Sequence, residues 1–434
     1  MNLYSILQER ALQDKPVRVG LIGAGKFGCM FLSQVPSTAG LRVSVIADLL
    51  PDRAKLACKT VGWNDDRIAA TRFVEDGNLL CASDDVDVVV DSTGSPGAGV
   101  IHALAAIEYG KHIVMVNVEA DVLAGPALAA RARKAGVVYS MAYGDQPALI
   151  SEMVDWARAA GFIVQAAGKG TKYLPGYNLA TPDDVWKHYG IKAEAAEAAG
   201  MSSQMFNSFL DGTKSAIEMA AVANSCALNV PDDGLSFLPC GVDDLARTLR
   251  PVSAGGQLTG EGMVEVISSM ERDGRPVFRD LRWGVYVVLK APNDYSAACF
   301  AQYGMPVDST GQYAAMYKPF HLIGMELGIS ILSAALRNEP TGHSRHFRGD
   351  AVATAKRNLA PGDMLDGEGG YTVWGKLMPA TRSVEARALP IGLAHGVKVT
   401  KPIKVGEIIS RDAVEALPDN PALRLRLETQ AMAG

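Results

Sequence analysis

The sequence predicts an α/β protein with a parallel-sheet domain first, an α+β domain second and a small β-rich domain last. Three observations carry this. The first third alternates short, wholly apolar runs with helical patterns, which is how strands covered on both faces read. The middle third mixes long apolar helical stretches with isolated strands. The last part holds two similar stretches, "VATAKRNLAPGDML" and "KVTKPIKVGEII", each a short strand, a basic residue, a turn and an apolar pair. At 434 residues the chain has room for two or three domains. The expected boundaries are 1–148, 149–345 and 346–434.

In chain order, "VRVGLI", "LRVSVIAD", "VDVVVDSTG", "HIVMVNVEA" and "VVYSMAYGD" read as the strands of the first domain. Helical patterns lie between them at Lys26 to about Val35, at "PDRAKLACKTVG" and at Leu123 to Ala135. The second domain opens with the helix "PALISEMVDWARAAG" and the strand "FIVQAAGKG". A polar loop runs from Thr171 to Asp184, then come a helix around "SAIEMAAVANSCAL" and the strand "WGVYVVLKA". Lys318 to Arg337 reads as one long helix that packs back on the first domain.

Net charge is −5 with both signs mixed, which argues against nucleic acid or an anionic membrane as partner. The six cysteines form no C-x-x-C pair, so neither a disulfide framework nor a zinc ribbon is indicated. The N-terminal "MNLYSILQERALQDK" carries charges where a leader needs an apolar block, and no run reaches the ~20 apolar residues of a membrane helix. A cytoplasmic protein is expected.

The motif with most chemistry is "GAGKFG". Gly23, Gly25 and Gly28 follow a buried-type strand and precede a helix, the context of a Rossmann-type dinucleotide site. Gly23 serves the turn, Gly25 the approach of a pyrophosphate, and Gly28 the packing of helix on sheet. Lys26 and Phe27 lie within the same loop. Asp48 ends the second strand, where a carboxylate accepts from ribose hydroxyls and repels a 2′-phosphate. NAD(H) is therefore favoured over NADP(H), although Arg53 nearby suits the latter. Thr93 and Gly94 in "DSTGSP" border the same crevice, with helix capping by Asp91 and Ser92 as the structural alternative. Asn117 and Glu119 end a further strand on the expected nicotinamide edge.

In the second domain, "GKGTK" places Lys169 and Lys172 just past a strand, suited to an anionic substrate or to a developing alkoxide. Asp211, Lys214 and Glu218 are spaced to share one helical face within an apolar stretch, as a catalytic cluster or a salt-bridged surface. "YKPFHLIGME" adds Lys318 and His321.

Taken in order, the glycine loop, "MVNVEADV", "GDQP", "AGKG", "DGTKSAIEMAAVAN" and "YKPFHL" resemble the DXR-like (DRL) oxidoreductases. These are homoserine-dehydrogenase-related enzymes that stand in for 1-deoxy-D-xylulose 5-phosphate reductoisomerase. The C-terminal stretch resembles a SAF (β-clip) domain, which that family carries. The resemblance implies a small polyhydroxylated ketose as substrate, phosphorylated in the family, with isomerisation followed by hydride transfer from NAD(P)H. It implies Mg²⁺ or Mn²⁺ held by Asp145 and Glu218. It also implies charge or proton handling by Lys169 or Lys214, and substrate contacts from Lys172, Asn224, Lys318 and His321. Two positions depart from the family pattern. Gln146 stands where a glutamate would ligate metal, and Asp48 where serine and arginines would favour NADPH. These departures motivate two alternatives, an NAD-dependent catabolic dehydrogenase or oxidoisomerase of a sugar acid or polyol, and a homoserine-dehydrogenase-like enzyme. An inactive NAD-binding regulator is the reading from another class. Related dehydrogenases pair through their second domain, so a homodimer is expected.

Overall fold

The structure is a computed structural model, described over residues 2–198 and 200–433. The chain divides into two units: Met1–Leu149 with His321–Arg345 and Asn420–Thr429, and Ile150–Phe320 with His346–Asp419 and Gln430–Gly434.

The first unit is built on strands β1 (Val17–Ile22), β2 (Leu41–Ala47), β3 (Arg72–Val74), β4 (Val88–Asp91), β5 (His112–Met115) and β6 (Tyr139–Met141). Their order is β3-β2-β1-β4-β5-β6, and all neighbours are parallel. This is the doubly wound Rossmann order, whose direction of winding reverses between β1 and β4. The fold class expected from the sequence is thus observed. Val19, Leu21, Val88 and Val90 are wholly buried, as the uninterrupted apolar runs required.

Two elements differ from the sequence reading. β5 stops at Met115, and Asn117 then caps the helix Val118–Ala135 by accepting the Ala120 amide at 3.0 Å. The run "HIVMVNVEA" is therefore half strand and half buried helix, because an apolar run carries no period to tell the two apart. The long helix expected from Lys318 is also cut. Lys318 ends a strand, Pro319 follows it, and the helix spans only Gly328–Arg337. Gly324 turns the chain at φ 77°, with its Cβ position 2.7 Å from Met30 Cβ. Leu327, Ile331 and Leu332 share one apolar core with Val19, Leu21 and Phe31 of the same unit.

The second unit contains β7 (Ile163–Thr171), β8 (Leu238–Pro239), β9 (Met263–Ser268), β10 (Val285–Lys290) and β11 (Tyr313–Lys318) in the order β11-β10-β7-β9-β8. β7 is central, antiparallel to β10 and parallel to β9. The helix Thr213–Cys226 is buried along nearly its whole length. It packs on β9 and also on the later strands β12 (Gly349–Ala355) and β14 (Val373–Pro379), which pair antiparallel. A second short pair joins β13 (Met364–Asp366) to β15 (His395–Lys398). The two look-alike C-terminal stretches bond to one another: Leu359 and Ile403 exchange backbone hydrogen bonds of 2.8 and 3.0 Å, and the Ala355 amide donates to Glu407 O at 3.0 Å.

Candidate active site

At the end of β1 the chain makes the turn that the glycines foretold. Gly23 has φ +91°, and a Cβ there would lie 3.0 Å from Ser92 O. At Gly28 a Cβ would fall 2.5 Å from Gly23 O, so helix and turn meet at backbone distance. Around Gly25 the space is open: a Cβ would meet nothing within 4 Å. Gly25 is also the N-cap of the helix Lys26–Gln34 and offers that helix no capping side chain. Unpaired N–H groups beside an unfilled notch are the donor set a pyrophosphate requires. Lys26 is exposed and Phe27 half-buried against the core.

Asp48 is half-buried at the end of β2. One carboxylate oxygen accepts the Ala24 amide and the other the Leu50 amide, both at 2.9 Å. The side chain is thus fixed against the glycine turn itself, and each oxygen keeps a further lone pair. Arg53 is exposed in the first turn of the helix Pro51–Thr60.

Past β4, Asp91 does not cap the next helix; Ser95 does, accepting from Ala98 N. Asp91 is fully buried and accepts from the Thr93 hydroxyl at 2.8 Å, while its other oxygen lies 2.6 Å from His102 Nδ1. Ser92 likewise donates to Ile22 O and Gly23 O, tying β4 to the turn. The Asn117 amide donates to Thr93 Oγ1 at 3.3 Å and to Ser95 O at 2.8 Å. Thr93 and Asn117 are therefore joined at neighbouring strand ends, with Gly94 exposed beside them and Glu119 half-buried in the following helical turn. The Asp91–His102 support escaped the sequence reading, because His102 lies inside an alanine-rich helix with no motif around it.

In the second unit, Lys169 of β7 forms an ion pair with Glu218 of the helix Thr213–Cys226. They are 6% and 3% exposed, so each charge is held by the other in a poorly hydrated place. Lys214 is half-buried one turn earlier. Asp211 departs from expectation. It lies in the turn after the helix Ser203–Leu210, outside the helix of Lys214 and Glu218, so the three do not share a helical face. It is fully buried, accepts the Thr213 amide at 2.8 Å and pairs with Lys356 Nζ at 2.8 Å. Burial pushes its carboxyl up, against the opposing pull of Lys356. Lys356 also donates to Ala180 O and Gly370 O, both at 2.7 Å. Asn224 is buried, donates to Gly349 O, and accepts from the Arg348 and Gly349 amides. Lys172 is half-buried and donates to His188 O. Lys318, at the end of β11, lies over the Phe320 ring, while His321 belongs to the first unit.

Mg²⁺ and Mn²⁺ need several oxygen ligands. Among the described residues no three of His, Cys, Asp and Glu gather as a ligand cluster. Asp145, in the first unit, is buried and accepts the Gln146 amide at 2.8 Å, and Glu218, in the second, pairs with Lys169.

Residues 144–327 match the family model "Oxidoreductase DRL, catalytic domain". Among curated proteins, a homoserine dehydrogenase of Neisseria gonorrhoeae is 34% identical over 112 residues, 24% of this chain and 23% of that protein. An inositol 2-dehydrogenase of Acidothermus cellulolyticus is 35% identical over 96 residues, 21% of this chain and 26% of that protein. The chain thus spans about a quarter of the length of these relatives. Among solved structures, a probable dehydrogenase from Thermotoga maritima aligns over 75% of this chain and 90% of its own at 13% identity and TM-score 0.39. A myo-inositol dehydrogenase from Lactobacillus casei, in complex with NAD(H) and myo-inositol, aligns over 39% and 50% at 19% identity and TM-score 0.29. The catalytic-domain match falls on the segment that carries Lys169 and Glu218, so residues 144–327 are similar to the catalytic domain of the DRL oxidoreductases.

Proposed function

We propose that the protein is an NAD(P)-dependent oxidoreductase of a small polyhydroxylated carbonyl compound, a ketose or a related sugar, with NAD(H) as the preferred cofactor. The observation that carries this reading is the buried Lys169–Glu218 pair within the segment that matches the DRL catalytic domain. When bound, a nicotinamide supplies or accepts hydride at the carbonyl carbon. The chain's own work is to bind, orient and move a proton. The open notch at Gly25 and the N-terminus of the Lys26–Gln34 helix hold the pyrophosphate. Asp48, already fixed by two amides, accepts from the ribose and disfavours a 2′-phosphate.

Lys169 then serves as the proton donor to the oxygen that becomes an alkoxide in reduction, and as acceptor in the reverse direction. Glu218 orients the ammonium and balances its charge in a poorly hydrated place. Lys214, Lys172, Lys318 and His321 are proposed to contact substrate.

The test is turnover with NADH and NADPH across 1-deoxy-D-xylulose 5-phosphate, inositols, homoserine and sugar acids, with and without EDTA. A product with its carbon skeleton intact and rates unchanged by EDTA supports the dehydrogenase. A rearranged skeleton supports the reductoisomerase, and NADH binding without turnover supports a regulator. The double variant Lys169→Met with Glu218→Gln, which leaves no lone buried charge, should lower kcat by about 10²–10⁴-fold. NADH affinity should be unchanged. Wild-type turnover in that variant removes Lys169 from the chemistry.

A further inference from the structure

One buried acid in the second unit is left without a role by this reading. Glu265 of β9 is 2% exposed and lies between Met263 and Ile267, two residues of an apolar core. A carboxylate in such a place is unfavourable unless hydrogen bonds replace its water. Three backbone amides donate to its Oε1: Val266 at 2.8 Å, Ser236 at 3.0 Å and Phe237 at 3.4 Å. The Ser236 amide also lies 3.2 Å from Oε2. Ser236 and Phe237 belong to the segment that leads into β8.

Phe237 has φ +49°, a left-handed conformation that a bulky residue keeps only where its surroundings hold it. Its ring stacks on Tyr173, with centroids 3.8 Å apart and planes 14° from parallel. A Cβ on Gly212 would lie 3.2 Å from the Phe237 ring and 3.6 Å from the Tyr173 ring. Tyr173 comes just after β7, the strand of Lys169, and its carbonyl accepts the Ser268 hydroxyl of β9 at 2.6 Å. Gly212 is the N-cap of the helix that carries Lys214 and Glu218. The Phe237 ring therefore wedges between the chain that leaves Lys169 and the chain that enters the helix of its partner.

Burial pushes the Glu265 carboxyl up to about 7, against the opposing pull of the three amides. By linkage, amides that favour the ionised form are themselves held more tightly by it. A proton on Oε2 turns an acceptor into a donor that faces the Ser236 amide. Other titratable groups surround this site. The Tyr286 hydroxyl of β10 donates to Glu265 O at 2.8 Å, and burial pushes it well above its ordinary value. Burial pushes the Cys240 thiol, after β8, up to about 12. Lys169 of β7, opposite Val266 in register, is paired with Glu218, and Arg272 donates to Ser236 O at 2.9 Å. Asp211, beside Gly212, is a second buried acid with a raised carboxyl, paired with Lys356.

We propose that Glu265 is a positioning residue: its carboxylate fixes the segment 236–237, the Phe237 ring transmits that hold to Tyr173 and Gly212, and protonation of Glu265 loosens all three together. The proposal rests on the oxidoreductase reading for the catalytic pair that is positioned, but not for the device itself. Overall stability moves the opposite way. A raised carboxyl contributes stability that is complete below about 4.5 and lost as pH rises through about 7, so a local tightening over that window is not a gain in global stability.

Amide hydrogen exchange of the full-length protein tests this, read by mass spectrometry over 234–240, 172–176 and 211–216 and corrected for the intrinsic chemical rate. In wild type, protection of all three segments should rise together by at least about 10-fold as pH passes upward through about 7. Glu265→Gln should show no such rise. Phe237→Leu, which keeps both amides, should retain the rise in 234–240 and lose it in the other two segments. In turnover, wild-type kcat should rise by about 10-fold over the same window with KM little changed, and kcat of Glu265→Gln should not. Flat wild-type protection across the window overturns the proposal, whether or not the glutamine variant folds. A rise that survives in Glu265→Gln belongs to Asp211 and overturns it too. A rise confined to 234–240, or a joint rise that leaves kcat unchanged in an active enzyme, overturns the positioning role. A joint rise that depends on Glu265, in a protein that turns over nothing, upholds the device and counts only against the oxidoreductase reading.

Discussion

Asp121 shows how a single buried residue ties this molecule to pH. It lies in the first turn of the helix Val118–Ala135 and accepts from the Tyr139 hydroxyl at 2.9 Å and the Ser344 hydroxyl at 2.7 Å. Burial nonetheless raises its carboxyl to about 6, since two neutral donors do not replace water around a charge. The folded state therefore holds this proton more tightly than the unfolded chain does. Its stabilising contribution is complete below pH 4 and is lost as pH rises through about 6, at roughly 1 kcal/mol per pH unit within that window. Urea unfolding of wild type and Asp121→Asn should show that fall in wild type and a flatter profile in the variant. Parallel profiles would mean that Asp121 does not titrate there. None of this is legible in the sequence, where Asp121 falls between the end of a strand and the start of a helix. Gly23, Gly25, Gly28 and Asp48 were legible because their roles depend on local backbone geometry, which neighbouring residues announce.

At the scale of elements, strands and helices with a clear period were read well, and failures came where period was absent. The run that joins β5 to its helix was apolar throughout. The stretch after Lys318 had helical spacing, but Pro319 and the tight approach of Gly324 to Met30 break it. Spacing also misplaced Asp211, whose buried partner Lys356 comes from the far end of the chain. Nothing in "VATAKRN" announces that its lysine joins β12 to the turn before the Thr213–Cys226 helix. That pair should hold the C-terminal strands against the second unit's helix. Lys356→Met leaves Asp211 buried without its counter-charge and should cost about 3–5 kcal/mol in urea unfolding. The double variant with Asp211→Asn should lose clearly less. Equal loss in both would show that the carbonyls of Ala180 and Gly370, not Asp211, are what Lys356 serves.

At the scale of the whole molecule, the order of elements predicted the class before any coordinate did. Strands alternating with helices permit few solutions, and the observed sheet order is the commonest that places a glycine turn beside a winding reversal. The second unit was legible only in outline, because its buried ion pair joins residues from β7 and the Thr213–Cys226 helix. Lys169 and Lys172 were visible as candidates. Glu218 as the partner of Lys169 was not. Local motifs announce a glycine turn, but a pair assembled over a long sequence separation leaves no such trace.

The central claim is that the turn after β1 admits a dinucleotide, and Gly25 isolates it. A Cβ added there would meet no protein atom within 4 Å, so Gly25→Val should leave the thermal midpoint nearly unchanged while filling the notch. Calorimetric titration of NADH into wild type and Gly25→Val is the direct measurement. The account predicts binding to wild type and loss of at least about 100-fold in affinity in the variant, near 3 kcal/mol. Equal affinity in a folded Gly25→Val protein would contradict it.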